Sequence, residues 1–349
     1  MGCSDSKYRI IVSEQEGQIN IKSWIASPST KLLPFKNENF SPLSPVGKGK
    51  FGLVYLTKHV NSSSHVAIKY IPMKIILDCD SHIRIQQEID VLQKLDHPFF
   101  AHFFGGFETP GCIALVFEYC YGGEMYTRMK QFNSMPEMHA KFYFSEIALG
   151  LDYLHNKLNI VYRDLKPENI LIDLYGHIKL CDFGFAVPLN SSDEEGLRDT
   201  VGTAMYVAPE IAGGKRGGTH SYEVDWWGLG CVLYEMIMGY APFGDTDKMS
   251  KFEIFNNINN RNINLPLTMN NHLSNLIHGL LQKDPFKRSN WTQVKDSQWL
   301  LDIDWQALYD RKIIPPWIPI LSENPSTSNF VSWDSKEIEI PNTASPNVF

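Results

Sequence analysis

The sequence predicts an α+β chain of two lobes, a small strand-rich one followed by a larger, mainly helical one with a tail behind it. Three observations lead there. From Phe40 the chain reads as extended strands broken by glycine, ending in the continuous apolar strand Ile113–Glu118. That strand runs into Gly122-Gly123, and the change from β-branched residues to a glycine pair marks a connector. Beyond it, apolar residues recur at helical spacing. The expected divisions are an arm over 1–38, the small lobe over 39–120, the large lobe over 121–301 and a tail over 302–349.

Composition limits the function classes. A chain of 349 residues can bury two substantial cores, and 43% hydrophobic with 20% charged residues is ordinary for a globular protein. The net charge of -7 leaves no footprint for nucleic acid. The six cysteines are dispersed without a C-x-x-C pair, the usage of reduced thiols in a cytoplasmic protein and not of a zinc site. The longest apolar run, Trp226 to Met238, contains Glu235 and reads as a buried helix, short of a bilayer span. At the start, Met1-Gly2-Cys3-Ser4-Asp5-Ser6 fits the N-myristoylation pattern at Gly2, with Cys3 placed for a second acyl chain, which predicts a peripheral position at a membrane. An accidental Gly-Cys start is the plain alternative. Residues 8–38 carry no sustained period.

Gly47, Gly49 and Gly52 form a G-x-G-x-x-G element, where absent side chains let backbone N–H groups approach phosphates. Alone it also fits a dinucleotide fingerprint. A strand, Leu53 to Lys58, follows it instead of a helix, and Val66-Ala67-Ile68-Lys69 comes next, which favours a flap over ATP. Lys69 ends an apolar strand. On the helix expected over Ser81–Leu95, Ile85, Ile89 and Leu92 make one apolar face, with Glu88 at its margin facing the same way, where a carboxylate would hold Lys69; an exposed glutamate is the bland reading of that position. Ser134-Met135-Pro136-Glu137 reads as a capping box with proline at the first helical position, opening a helix that buries Phe144, Ile147, Ala148, Leu151 and Leu154.

The stretch that carries chemistry is Tyr162-Arg163-Asp164-Leu165-Lys166-Pro167-Glu168-Asn169, with Asp182-Phe183-Gly184 after it. It sets a carboxylate, an ammonium, a carboxamide and a second carboxylate on neighbouring loops, the groups needed to accept a hydroxyl proton, steady a phosphate and hold magnesium. A polar, acidic stretch, Ser191–Gly196, precedes Ala208-Pro209-Glu210 and reads as a regulatory loop or simply a solvated one.

From the glycine flap through Arg288 these residues resemble the eukaryotic protein kinases. Asp304-Trp305, Pro316-Trp317-Ile318-Pro319 and Thr327-Ser328-Asn329-Phe330 resemble the tail of the AGC group, and the chain is most similar to the catalytic subunits of cyclic-AMP-dependent kinases. The resemblance implies a small antiparallel sheet with one key helix, a helical lobe, and a tail wrapping the small lobe. It implies ATP and Mg2+ as cofactors, and serine or threonine in proteins as acceptors. Gly47, Gly49, Gly52, Val54, Ala67, Lys69, Glu118, Cys120, Glu124 and Phe330 would line the nucleotide, with Glu88 holding Lys69. Asp164 would be the catalytic base, Lys166 the γ-phosphate clamp, and Asn169 and Asp182 the metal ligands. Asp225 would brace the loop, and Glu210 and Arg288 would pair. Glu124, Glu168 and Glu235 would read arginines two and three residues before the acceptor, since arginine's planar fork suits carboxylates. Lys166 and Thr203 match the serine/threonine version of the loop.

The departures concern regulation. Asp199, with Thr200 beside it, stands where the family has its activation-loop phosphothreonine, so a carboxylate opposite Arg163 and Arg84 would order the loop. A basic phosphate partner is replaced by Val187, and a tryptophan that meets cyclic-nucleotide regulatory subunits by Arg198, which weakens the case for such a partner. Pro341 replaces a tail phosphoserine, with Thr343 and Ser345 nearby, and only Phe349 remains of the terminal docking motif. Set against an active kinase are a silent scaffold on the same fold, a kinase of small molecules and a membrane-tethered adaptor. Lys69, Asp164 and Asp182 are all kept, which favours the enzyme.

Overall fold

The computed structural model describes residues 37–49, 51–77, 79–189, 203–213, 221–320 and 330, with the backbone alone at 79 and 80. The chain divides into two units; the first holds the described residues up to Gln93 together with His102–Tyr119, and the second holds Lys94–Ala101 and everything described from Cys120 onward.

The first unit is a five-stranded antiparallel sheet with two helices. Strands β1 (Phe40–Lys48), β2 (Leu53–His59) and β3 (His65–Pro72) are followed by helices α1 (Met73–Ile76) and α2 (Cys79–Leu92), then by β4 (Phe103–Thr109) and β5 (Cys112–Glu118), in the spatial order β1-β2-β3-β5-β4. β1 is an edge strand that contains Pro42 and Pro45. Its register shifts at Pro42/Ser44 and at Pro45/Gly47, so each proline sits where a missing N–H breaks no regular ladder. One face of the sheet buries Phe40, Val66, Ile68, Tyr70, Phe107, Ala114 and Val116, and Phe40 stacks on Phe107 with centroids 5.3 Å apart. Ile85, Ile89 and Leu92 are buried as their spacing predicts, on a helix that begins earlier than Ser81 and stops at Leu92. Lys69 does not end its strand. Tyr70 and Ile71 carry β3 on to Pro72, both buried, and Lys69 pairs in register with Val54 and Leu115.

The second unit is mainly helical. After β6 (Gly123–Glu124) come α3 (Met125–Lys130) and α4 (Glu137–Asp152), then a π turn over Tyr153–Lys157. Short strands β7 (Ile160–Val161), β8 (Ile170–Ile172), β9 (Ile178–Leu180) and β10 (Val187–Pro188) follow; β6, β8 and β9 form one small sheet, β7 and β10 another. Helices α5 (Pro209–Ala212), α6 (Glu223–Met238), α7 (Lys251–Asn260), α8 (Asn271–Leu280), α9 (Trp291–Lys295) and α10 (Trp305–Tyr309) complete it. The apolar run from Trp226 lies in α6, buried from Val224 to Met236, and among the described residues no helix is long and apolar enough to cross a membrane.

The expected capping box before α4 is not formed. Pro136 itself is the N-cap, its carbonyl accepting from Ala140 N at 3.0 Å, and no side chain caps the helix. Glu137 is diverted to tertiary partners, its Oε1 accepting from Trp299 Nε1 at 2.8 Å and from Asn270 Nδ2 at 3.0 Å. A carboxylate with two long-range donors has little to gain from reaching back. The predicted buried set on this helix holds, with Leu154 falling in the π turn beyond its end.

Candidate functional site

The loop between β7 and β8 is held from below by one carboxylate. Asp225, on the first turn of α6 and 1% exposed, accepts from Tyr162 N at 2.8 Å and from Arg163 N at 2.7 Å, and His155 Nε2 lies 2.7 Å from it. These contacts fix the backbone immediately before Asp164. Arg163 has φ 69° and Asp182 φ 56°, left-handed conformations that an L-residue keeps only where its surroundings impose them. Arg163 Nε donates to Phe185 O at 2.7 Å, and the Tyr162 hydroxyl donates to Cys181 O, so the loop and the Asp182-Phe183-Gly184 segment are tied in two places. Phe183 is buried edge-on to Tyr162.

On that platform Asp164 Oδ2 accepts from Lys166 Nζ at 2.8 Å and from Asn169 Nδ2 at 2.9 Å. Lys166 Nζ also donates to Thr203 Oγ1 at 3.0 Å. Burial pushes the Asp164 carboxyl up, outweighing the Lys166 ammonium that pulls it down. For Lys166 burial acts downward, yet the adjacent Asp164 carboxylate prevails and holds the ammonium above its ordinary range. Asn169 Nδ2 donates to both Asp164 O and Asp164 Oδ2, which turns its carbonyl oxygen away from Asp164.

That orientation bears on magnesium. One carboxylate, Asp182, and one carboxamide oxygen, Asn169, are hard oxygen donors. Magnesium is ordinarily held by one or two protein oxygens together with waters and phosphates. No group of three or more His, Cys, Asp or Glu suited to a metal occurs among the described residues. The donor set therefore fits a magnesium that arrives with a phosphate, and not a metal caged by protein.

In the first unit Lys69 Nζ donates to Glu88 Oε1 at 2.6 Å, with side chains only 8% and 2% exposed. The exposed-glutamate reading is thereby overturned. The glycine element closes the β1–β2 hairpin, with Gly49 N donating to Gly52 O at 2.8 Å and Gly47 paired with Val54. The glycines are not equivalent. A Cβ on Gly52 would lie 2.0 Å from Tyr70 O, whereas one on Gly49 would meet nothing nearer than 3.7 Å. Gly52→Ala should therefore cost about 1–3 kcal/mol of stability, and Gly49→Ala should fold like the parent while changing nucleotide affinity; thermal melts and ATP titration of both variants separate the two effects.

Three carboxylates were expected to face a basic peptide. Glu235 on α6 accepts from the Tyr206 hydroxyl at 2.6 Å, and burial pushes its carboxyl up, with Glu168 adding to the rise. Glu168 is likewise pushed up by burial, and its Oε2 is buried with no hydrogen-bond partner among the described residues. Glu124 sits on β6, which pairs with β8. The second unit thus brings Glu168 close enough to Glu235 to add to the rise of the Glu235 carboxyl.

Gly47, Gly49, Gly52, Val54, Ala67, Lys69, Glu88 and Glu118 belong to the first unit; Cys120, Glu124, Asp164, Lys166, Glu168, Asn169, Asp182, Thr203, Glu235 and Phe330 belong to the second. Gly2, Cys3, residues 191–196, Arg198, Asp199, Thr200, residues 327–329, Pro341, Thr343, Ser345 and Phe349 lie outside the described residues. Sequence reasoning missed His155 and Tyr206. Neither carries a periodic signal, since each acts through one long-range bond, to Asp225 and to Glu235.

Compared with known protein families, residues 40–300 match the protein kinase domain. The chain belongs to the protein kinase family. It is 37% identical to a cAMP-dependent protein kinase catalytic subunit of Dictyostelium discoideum over 306 residues, 86% of this chain and 46% of that protein. It is also 37% identical to the serine/threonine-protein kinase Sgk1 of Xenopus tropicalis, over 88% of this chain and 73% of the relative. Human cAMP-dependent protein kinase catalytic subunit PRKX is 34% identical, with 88% and 84% covered. The chain thus spans about half the length of the first relative and more of the other two. These matches bear out the resemblance to AGC serine/threonine kinases.

Proposed function

We propose that this chain transfers the γ-phosphate of Mg-ATP to serine or threonine in proteins that carry arginine two and three residues before the acceptor. The observation that supports it best is Asp164, a 4% exposed carboxylate held by Lys166 and Asn169 while Lys166 reaches Thr203. Asp164 orients the acceptor hydroxyl and takes its proton as the new oxygen–phosphorus bond forms and the β–γ bridge breaks, releasing ADP. Lys166 sits to neutralise charge on the phosphoryl oxygens. Asn169 and Asp182 would hold magnesium, whose charge offsets that of the phosphates. Lys69, oriented by Glu88, would grip the α and β phosphates. The reading is tested by phosphate transfer to an arginine-bearing serine peptide; an intact chain that transfers nothing would be a scaffold instead.

The orphaned Glu168 Oε2 and the neighbouring Glu235 support arginine as the specificity element. A charged hydrogen bond contributes roughly 1.5–3 kcal/mol, so replacing either arginine by alanine should lower kcat/KM about tenfold or more. Both carboxyls are raised by burial, so they take up protons at a higher pH than ordinary carboxylates and lose their charge first as pH falls. The preference for arginine over alanine peptides should therefore shrink as pH falls toward the ordinary carboxylate range. A constant ratio would remove Glu168 and Glu235 from the recognition site.

The start Met1-Gly2-Cys3 supports acylation and a place at a membrane, and Gly2→Ala should abolish myristate incorporation. Asp199 supports an activation loop ordered without phosphate; Asp199→Ala should then lower activity, and unchanged activity would sink the idea.

A further inference from the structure

Beyond α10, residues 311–320 run without regular structure against the turn between β8 and β9. Gly176 in that turn has φ +94°, and a Cβ on it would come within 2.2 Å of Trp317 O, so the two segments meet at a separation that a side chain would prevent. Arg311 Nη2 donates to Asp173 Oδ2, and the Arg128 guanidinium lies 4.4 Å from the centre of the Trp317 ring. Pinned in this way, the segment walls a groove of about 430 Å3, a volume ordinary for a small-molecule site.

The groove has two kinds of wall. Ile314 and Ile318 are 81% and 52% exposed, and with Tyr175 they offer an aliphatic and aromatic surface to solvent. His177 also lines the groove although it is 3% exposed. Its Nδ1 lies 2.5 Å from Oε1 of the fully buried Glu146, whose Oε2 is occupied by Ile178 N at 2.9 Å. Nδ1 is taken up by Glu146, so only Nε2 is left to meet an occupant. At the rim, Arg311 gives one donor to Asp173 and Lys312 gives one to Asp310 at 2.7 Å, and each keeps further N–H groups.

We propose that this groove binds a small aliphatic carboxylate, its chain along Ile314 and Ile318 and its carboxyl at His177 Nε2, with Arg311 and Lys312 beside it. Arg311 and Lys312, each already paired with a carboxylate, offer the carboxyl their remaining N–H groups. Nothing in this site draws on the phosphoryl-transfer residues, so it stands or falls apart from the kinase reading.

Octanoate below its micelle concentration is the probe, titrated into the full chain and followed by isoleucine methyl and histidine ring resonances. Saturable shifts are expected at Ile314, Ile318 and His177. Octanol, with the same chain and no charge, should bind about tenfold more weakly, the loss of one charged hydrogen bond. Lys312→Glu should weaken octanoate about tenfold and leave octanol alone, and Ile314→Asp should weaken both; both positions are exposed, so the fold should survive. No saturable shift, shifts confined to other methyls, octanol equal to octanoate, or full binding by Ile314→Asp would each overturn the proposal.

Discussion

Asp164→Ala in the full chain should transfer phosphate to an arginine-bearing serine peptide about 10²- to 10⁴-fold more slowly than the parent, the usual share of a positioned general base. Peptide KM should change little. The expectation rests on where Asp164 is held. Its Oδ2 has two side-chain donors, and the backbone before it is fixed by the buried carboxylate of Asp225, so removing the carboxylate removes a group whose position the fold has already specified. Asp164→Asn separates proton acceptance from shape. It keeps the size of the side chain and can still meet Lys166 through its oxygen, but it takes no proton, so it should be nearly as slow as alanine. If Asp164→Asn instead keeps most of the activity, the carboxylate acts through geometry alone and the assignment as base fails. Thr203→Ala is a useful companion, because Thr203 meets Lys166 and not Asp164. It should lower activity less, by loosening the ammonium.

The parts legible in the sequence were those carried by spacing. The strand run from Phe40, the Ile85/Ile89/Leu92 face and the buried α6 helix each follow from local period, and Asp164 to Asn169 follows from a fixed offset within one loop. Lys69 and Glu88 are nineteen residues apart, and their 2.6 Å contact was legible only because the glycine flap gave a lysine there a reason to be buried. What escaped were residues whose roles depend on the other end of a long-range bond. Glu137 reads locally as half of a capping box and is claimed instead by Trp299 and Asn270. His155 carries no local signal and becomes part of the Asp225 clamp only through its contact with α6. The groove beside Gly176 is less legible still. Its walls come from a β-turn and from a segment more than a hundred residues later, and the close approach at Gly176 shows only once the fold brings the two together.

Arg288→Lys should destabilise the second unit by about 2–4 kcal/mol, the loss of one or two hydrogen bonds to a charged group. With a side chain 0% exposed, Arg288 donates from Nη1 to Glu210 Oε1 at 2.7 Å and from Nη2 to Oε2 at 2.9 Å. Nη1 also reaches Glu223 O at 2.7 Å and Nε reaches Gln282 O at 3.1 Å, while the guanidinium lies 5.2 Å from the centre of the Trp227 ring. One planar fork therefore joins α5, the start of α6 and the segment after α8. Lysine keeps the charge but has a single nitrogen, which cannot make the bidentate pair and also reach both carbonyls. The cost should thus come from geometry and not from charge. Glu210→Gln tests this from the other side: its amide oxygen still accepts one bond, but its NH2 group would face the guanidinium, so its cost should be comparable. At about 2–4 °C per kcal/mol for a unit of this size, either variant should melt roughly 10 °C below the parent. Because α5 begins at Pro209, just after the loop that carries Thr203, loss of the pair should also slow phosphate transfer at temperatures where the fold still holds. An Arg288→Lys chain that melts with the parent would show that the charge alone suffices and that the fork is incidental.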